Sequence, residues 1–310
     1  MRRRTKRYSR YYRPKGLHIF GRQINLKRLV PFIAFLTVFV VSASLLLDYA
    51  VDSAKRKRDN TELSEKYAAA FIEETPVPLS MPEATIAPTA VPEPQLLDKY
   101  HNLVGEIPME AWELYQQNND LVGWLFIKGV VNLPVVYRDN EYYLNHDFNR
   151  IESDGGTLFL DEYHPMEEDT QNRLIHGHNM YDSSMFGIVS NYVKLGNVKG
   201  HAFARFSTMY GWEDYVICAV LKVAPDPMSE GYFSYVGRSK FSNVNDFYAY
   251  ADQLKQKSLF EIPVDLEPSD AMLSLSTCLD DDRVLAVFRR IRDGETKEEL
   301  QALVDQSIWK

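Results

Sequence analysis

Residues 29–47 form a run of nineteen residues without a charge, about the length that a helix needs to cross the hydrocarbon of a bilayer. Residues 1–28 contain eleven of the 35 lysines and arginines and none of the 43 acidic residues, so they carry +11 and the rest of the chain −19. The positive-inside rule therefore predicts an N-terminus in the cytoplasm and an extracytoplasmic chain after Asp48. The four basic residues 55–58 oppose this orientation, but they are fewer than the eleven before the run.

A cleaved signal peptide is the alternative for this run. Its length, and the absence of a small-residue cleavage site after it, favour an uncleaved signal-anchor. A basic tail on an acidic body indicates two environments, and no nucleic-acid-binding domain is predicted.

The anchor divides the chain into four predicted parts. Residues 1–28 are a cytoplasmic tail, and residues 29–47 cross the membrane. Residues 48–95 combine a short helix at 61–74 with six prolines between 75 and 94, a composition typical of an extended spacer that would lift the C-terminal part of the chain off the membrane. Residues 96–310 form one domain, long enough to bury a substantial core.

The last part has a mainly β pattern. Helical periodicity is confined to residues 97–118 and 244–257. Short strands are predicted at 132–137, 156–160, 214–223 and 272–278. Mostly antiparallel strands with a few peripheral helices predict a closed or nearly closed β-barrel.

A cysteine ends the last of these strands. Period-two alternation places Leu273, Leu275 and Thr277 on one face and Ser274, Ser276 and Cys278 on the other. Three aspartates, 280–282, then form a turn before a second strand, so a hairpin is predicted with Cys278 opposite Arg283. Opposed Cβ atoms lie roughly 5 Å apart, and a cation there stabilises a thiolate or an oxyanion beside it.

The polar face on which Cys278 lies favours a reactive thiol over the small buried hydrophobe that a free cysteine commonly is. Cys218, by contrast, has apolar flanks on both sides and is predicted to be buried and inert. The sequence leaves a disulfide between the two open, although such a bond would consume the reactive thiol.

A reactive thiol needs a partner for proton transfer. Five of the seven histidines lie in the tail, after the linker, or among turn residues without a recognisable frame. His176 and His178 end a short apolar strand at a tight polar turn, which suits an imidazole held at the rim of a sheet. A metal site is disfavoured because no second cluster has zinc-ligand spacing, and the acidic clusters lack a calcium-loop pattern. No metal or cofactor is expected.

Six blocks follow one another along the chain: residues 119–125 (NDLVGWL), 133–137 (LPVVY), 142–148 (YYLNHDF), 155–161 (GGTLFLD), 177–180 (GHNM) with 185–187 (MFG), and 273–278 (LSLSTC). In this order, across roughly residues 98–292, the chain resembles the class B sortases, the membrane-anchored cysteine transpeptidases of Gram-positive bacteria.

The resemblance implies roles for individual residues. Cys278 would be the nucleophile, His178 the general acid or base, and Arg283 the group that stabilises substrate and oxyanion. Substrate contacts are expected from Thr277, Ser276, His176 and Asn179. His176 stands where family members often carry a tyrosine. The turn before Arg283 is shorter than usual, which leaves Arg289 and Arg290 as fallback candidates.

The resemblance also implies a fold and a location. An eight-stranded sortase barrel is expected, with an N-terminal helical appendage and with the 244–257 helix in the long connection that walls the substrate groove. One transmembrane helix would precede it, placing the catalytic domain outside the cell membrane.

The implied reaction cleaves a C-terminal sorting signal of a surface protein after threonine, through a thioester, and joins the protein to a peptidoglycan amine. Three alternatives remain: a pilin-polymerising sortase with a pilin amine as acceptor, an L,D-transpeptidase-like wall enzyme, and a non-catalytic anchored scaffold. The L,D-transpeptidases expect a histidine and a glycine close before the cysteine, where this chain has Ser276 and Thr277.

Overall fold

The computed structural model describes residues 18–19, 22–23, 26–72, 109–166, 170–208 and 211–310. The predicted spacer at 75–94 and the first half of the predicted 97–118 helix lie outside these ranges. The chain divides into two compact units, Met1–Lys55 and Arg56–Lys310.

The elements are few in the first unit and many in the second. The helices are α1 Leu26–Tyr67, α2 Ala69–Ile72, α3 Met109–Gln117, α4 Leu195–Gly200, α5 Val244–Lys257 and α6 Lys297–Asp305. The strands are β1 His18–Ile19, β2 Arg22–Gln23, β3 Leu121–Ile127, β4 Val131–Tyr137, β5 Leu158–Leu160, β6 Asn172–His176, β7 Phe203–Thr208, β8 Gly211–Val223, β9 Phe260–Glu261, β10 Met272–Leu279, β11 Asp282–Arg290 and β12 Ile308–Trp309.

The first unit contains the whole apolar run, residues 29–47. From Leu29 onward, α1 is long and apolar enough to cross a membrane, with a mean hydropathy of 2.5 over its most apolar window. Its large apolar side chains are exposed, as at Phe35 and Leu46. A helix with apolar side chains exposed on all sides suits a lipid environment.

Eight strands of the second unit close into a barrel, in the order β10-β11-β8-β7-β3-β4-β5-β6. Most neighbours are antiparallel, but β4 pairs with β5 and β6 pairs with β10 in parallel, and the β6–β10 pairing closes the barrel. The core is aliphatic and aromatic, with residues such as Leu125, Ile217 and Phe288 fully buried. The predicted mainly β fold with a closed eight-stranded barrel is confirmed.

The hairpin of β10 and β11 has the predicted register, with Cys278 opposite Arg283. Its polar face, however, is also covered. Ser274 donates to Asn172 Oδ1 at 2.9 Å, and Ser276 lies 3.0 Å from the hydroxyl of Tyr235 in the connection between β8 and α5. The two serines therefore lie on a second buried face of β10, where they form hydrogen bonds. Of this face, only the end of the strand, at Cys278, reaches solvent.

A second, smaller core lies on the outside of the barrel. Tyr67 at the end of α1, Phe71 of α2 and Leu114 of α3 are buried there around Trp124 of β3. Phe71 stacks on Trp124 with ring centroids 5.4 Å apart. Residues 56–72, which the sequence assigned to the spacer region, thus pack on the barrel, and the helix predicted at 61–74 is the end of α1 together with α2.

The predicted helix at 244–257 is α5, capped by Asn243, whose side chain accepts from the Asp246 amide. Its buried face, with Phe247 and Tyr250, packs against Phe233 and Phe241. The helix therefore lies behind the segment 224–236, and that segment, not the helix itself, walls the cavity at the Cys278 end of β10.

Candidate active site

The parallel pairing of β6 with β10 brings the predicted histidine and cysteine to one edge of the barrel. Ser276 pairs with His176, and the Gly177 amide donates to the Ser276 carbonyl at 3.3 Å. His178 and Cys278 each follow two residues after that pair. The parallel pairing ends at that pair, so both residues lie just beyond it, and both line the same cavity.

Thr277 strengthens this junction. Its hydroxyl donates to the Gly177 carbonyl at 2.8 Å, and its side chain is almost fully buried. The residue between Ser276 and Cys278 thus ties the cysteine strand to the turn that carries His178.

Arg283 arrives beside Cys278 from the neighbouring strand across a two-residue turn. Asp280 takes a left-handed conformation, φ 52°, which a short polar side chain tolerates better than most. Asp282 forms an ion pair with Lys222 at 3.0 Å, and its hydrogen bond raises the pKa of that lysine. The acidic turn is therefore partly neutralised by β8, while Asp280 and Asp281 point into solvent.

The imidazole of His178 is held by the carbonyl of Leu144, which lies 2.7 Å from Nε2. A carbonyl oxygen only accepts, so Nε2 carries the proton and the neutral ring has Nδ1 free. The loop after His178 folds back on itself, because the Phe186 amide donates to the His178 carbonyl at 2.9 Å. Sequence reasoning missed Leu144, since a backbone acceptor leaves no signature in side-chain identity.

His176 has a different surrounding. Its Nε2 lies 2.8 Å from Oδ2 of Asp161, a buried carboxyl that also accepts from Asn140 and from the Tyr163 amide. Burial works to raise the pKa of Asp161, but the hydrogen bond and the charge of His176, together with the other donors, hold it below its usual range. The carboxylate is thus ionised and fixes the orientation of the half-buried His176 ring.

Tyr235 covers the strand just before the cysteine. Its hydroxyl, near the Arg283 guanidinium, shares a hydrogen bond with Ser276, and burial raises its pKa more than these neighbours lower it. The sequence shows a cluster of aromatic residues around Tyr235 but assigns it no contact. Its position depends on how the 224–243 connection folds over β10.

One cavity of about 390 Å³ collects these groups. Its lining residues are Asn140, Leu144, Phe159, Asp161, His176, Gly177, His178, Ala224, Pro225, Pro227, Tyr232, Phe233, Tyr235, Val236, Ser276, Thr277, Cys278 and Arg283. Six of the seven predicted site residues line it. The seventh, Asn179, does not: it forms a β-bridge with Met185 inside its own loop.

The two histidines do not form a metal site with each other. His176 binds Asp161, whereas His178 binds a backbone carbonyl. Within the described ranges, no three His, Cys, Asp or Glu side chains cluster as metal ligands.

Cys218 differs from Cys278 in its access to solvent. It is fully buried in β8, and its Sγ lies 3.3 Å from the Val287 carbonyl. Burial raises its pKa to about 11. Both thiols are free, so the disulfide left open by the sequence is not formed, and only Cys278 is exposed.

Arg289, the fallback for the catalytic arginine, is far from the cavity along the hairpin. It pairs with Met272 at the opposite end of β10 from Cys278. Its guanidinium is 1% exposed and binds both carboxylate oxygens of Glu295, at 2.6 and 2.7 Å. This bidentate pair fastens the end of β11 to the turn before α6, which is a structural role. Arg290 is likewise held away from the cavity, by Glu213 at 2.9 Å.

Two of the three arginines of β11, Arg283 and Arg289, should separate activity from stability. We expect Arg289→Gln to lower the free energy of unfolding by about 3 kcal/mol, the low end for a broken buried pair because Glu295 stays partly hydrated. We expect Arg283→Gln to leave stability nearly unchanged and to lower kcat/KM by about 10²- to 10³-fold, the range for a lost oxyanion donor. Urea titration and peptide cleavage of both variants test this. An activity loss in Arg289→Gln that exceeds its unfolded fraction would contradict the assignment.

No protein-family model matches the chain. Sortase B of Listeria monocytogenes is 32% identical to it over 181 residues, which cover 57% of this chain and 70% of that protein. The Staphylococcus aureus sortase B–substrate complex has a TM-score of 0.55 at 26% identity, over 61% of this chain and 88% of that one. Sortase B of B. anthracis, in complex with AAEK1, shares the fold, with a TM-score of 0.59 at 19% identity over 78% of this chain and 99% of that one.

One family accounts for the sequence identity over most of a relative's length. The same family accounts for the barrel, which solved sortase B structures share. The chain belongs to the class B sortases and is an enzyme of the cysteine transpeptidase type.

Proposed function

We propose that the chain cleaves a C-terminal sorting signal after threonine and joins the released surface protein to a peptidoglycan amine, with Cys278 as nucleophile. One observation carries the proposal. The β6–β10 and β10–β11 pairings place an imidazole, a guanidinium and the single exposed thiol of the described chain in the wall of one cavity of about 390 Å³.

The first half-reaction starts from the Cys278 thiolate and the His178 imidazolium, protonated at both ring nitrogens, and the thiolate attacks the threonine carbonyl carbon. The carbonyl electron pair moves to oxygen, and Arg283 stabilises the resulting oxyanion. The C–N bond then breaks, and a proton from His178 goes to the leaving amine. The product is a thioester between Cys278 and the threonine carbonyl.

In the second half-reaction an amine replaces the leaving group. His178 takes the proton of the incoming nitrogen as it attacks the thioester, and the Cys278 thiolate departs as the new amide forms. Water in place of the amine gives slow hydrolysis. The Leu144 carbonyl holds Nε2–H, which leaves Nδ1 as the nitrogen that exchanges this proton.

The location follows from the anchor. We propose that α1 crosses the cell membrane once through residues 29–47, with the basic tail in the cytoplasm and the barrel outside. The eleven cations before the span and its hydropathy support this orientation. The partners would then be the membrane, surface proteins that carry a sorting motif, and the wall amine.

The proposal is tested with the full chain in detergent micelles and a panel of fluorogenic sorting peptides that present Thr-Gly or Thr-Asn bonds. We expect cleavage of at least one peptide, faster turnover with an added amine, and a mass increase on Cys278 equal to the acyl fragment. Absence of cleavage and of acylation across the panel would overturn it, with Cys278→Ala as the blank.

A further inference from the structure

The docked end of α1, residues 56–67, carries a buried arginine, Arg56. Arginine side chains are rarely buried. Arg56 is only 8% exposed. Its Nη2 lies 2.8 Å from Oδ2 of Asp182, and its Nε donates to Ser184 Oγ at 3.1 Å. The Asp182 side chain is itself 6% exposed. Because a charge buried without a partner is costly, this contact depends on both residues.

A glycine pair makes room for the arginine. A Cβ on Gly155 would lie 2.3 Å from Cδ of Arg56, so any other residue there would displace it. The next residue, Gly156, has φ 56°, and a Cβ on it would lie 2.8 Å from the Leu144 carbonyl oxygen. That oxygen is the acceptor of His178. One flank of Arg56 is therefore the segment that packs against the acceptor.

The other flank is the loop that begins at His178. Asp182 and Ser184, the two partners of Arg56, lie between His178 and Phe186, which are joined by a backbone hydrogen bond of 2.9 Å. Farther along α1, Asn60 donates to the Met185 sulfur at 3.5 Å. The end of α1 thus contacts both the loop that carries the imidazole and the segment that supports its acceptor.

We propose that Arg56 is a positioning residue, which fixes the distance between His178 and the Leu144 carbonyl by joining their two supports. This rests on the proposed role of His178 as acid and base. The helix that carries the apolar span then also holds the proton-transfer group, and turnover depends on its docked end. A displacement of about 1 Å in such a group costs up to about a hundredfold in rate.

Arg56→Gln in the full chain in micelles tests this. We expect kcat for peptide cleavage to fall at least about tenfold with KM within about twofold, since Arg56 itself does not line the cavity. Arg56→Lys, which keeps a cation near Asp182, should recover most of the rate. Arg58→Gln is the matched control: Arg58 is on the same helix, its side chain is 73% exposed, and it contacts the adjacent Asp59. It should behave as the wild type.

A substrate-free measurement keeps this test separate from that of the proposed function. With ¹⁵N-labelled histidine, the Nε2–H signal of His178, assigned with His178→Gln, should be present in the wild type and in Arg58→Gln, and shifted or lost in Arg56→Gln. If the wild type cleaves no peptide, the proposed function fails while this signal still decides on Arg56.

An unchanged signal with wild-type kcat in Arg56→Gln overturns the inference. So does a loss of activity that merely follows the unfolded fraction. If Arg56→Gln does not fold, Asp182→Asn, which keeps the side-chain shape, decides by the same two readouts.

Discussion

Cys278→Ala is expected to abolish peptide cleavage and acylation, a loss of roughly 10⁴-fold or more, as for other removed nucleophiles. Cys218→Ser is expected to keep kcat/KM within about twofold. The two thiols differ in access, since Cys278 is exposed at the cavity while Cys218 is fully buried with a pKa raised to about 11. Cleavage of a fluorogenic peptide, normalised to folded protein, measures both.

The serine in place of Cys218 can keep the contact with the Val287 carbonyl, because its hydroxyl also donates. Its cost is expected in stability, from a smaller and more polar side chain in the core, and not in turnover. Intact-mass analysis after incubation with peptide gives the independent check: acyl adducts should form on Cys218→Ser and be absent from Cys278→Ala. Equal losses in the two variants would contradict the assignment of the nucleophile.

Local pattern was sufficient to predict the hairpin that holds this cysteine. Alternation defined the two faces of β10, and the acidic turn limited the connection, so the pairing of Cys278 with Arg283 followed from counting along the two strands. Residues 244–257 gave a helix with the same bounds because its apolar face, cap and ends lie within one segment. For the hairpin and for this helix, the local sequence was sufficient to predict the structure.

Contacts between distant segments were not predicted. The Leu144 carbonyl meets His178, and Asp161 meets His176, only after β5 and β6 have joined the barrel. The polar face of β10 was expected in solvent because alternation cannot reveal that the 224–243 connection covers it. Asn179, for which a substrate contact was predicted, does not line the cavity and forms a backbone bridge with Met185 within its own loop.

The spacer region shows the same limit. Composition identified a proline-rich stretch at 75–94, but nothing local indicated that residues 56–72, before it, pack on the barrel. Their contacts lie with Trp124 and Asp182, more than fifty residues away in sequence. The region that was predicted to be a spacer therefore begins with the end of α1 and with α2, which pack on the barrel.

Two histidines, His176 and His178, line the cavity, and substitution of each one tests which of them is the general acid and base. We expect His178→Gln to lower kcat by about 10²- to 10⁴-fold with a small change in KM, the usual contribution of a proton-transfer group. His176→Gln should lower kcat by less than about tenfold, because the glutamine amide can still donate to Asp161 and the ring otherwise packs on Phe159. Single-turnover formation of the acyl-enzyme separates these effects from the transfer step.

The alternative, in which His176 is the general base, is also chemically reasonable. His176 with Asp161 resembles an imidazole oriented by a carboxylate, the arrangement that often marks a catalytic base. Two observations argue against it: His176 is paired in the sheet with Ser276 and its Nε2 is engaged by Asp161, whereas His178 lies beyond the end of β6 and uses only Nε2, on the Leu144 carbonyl. If His176→Gln instead suffers the larger loss of acylation rate, Asp161→Asn should share it, and the carboxylate-bound imidazole would be the base while His178 serves the fold of its loop.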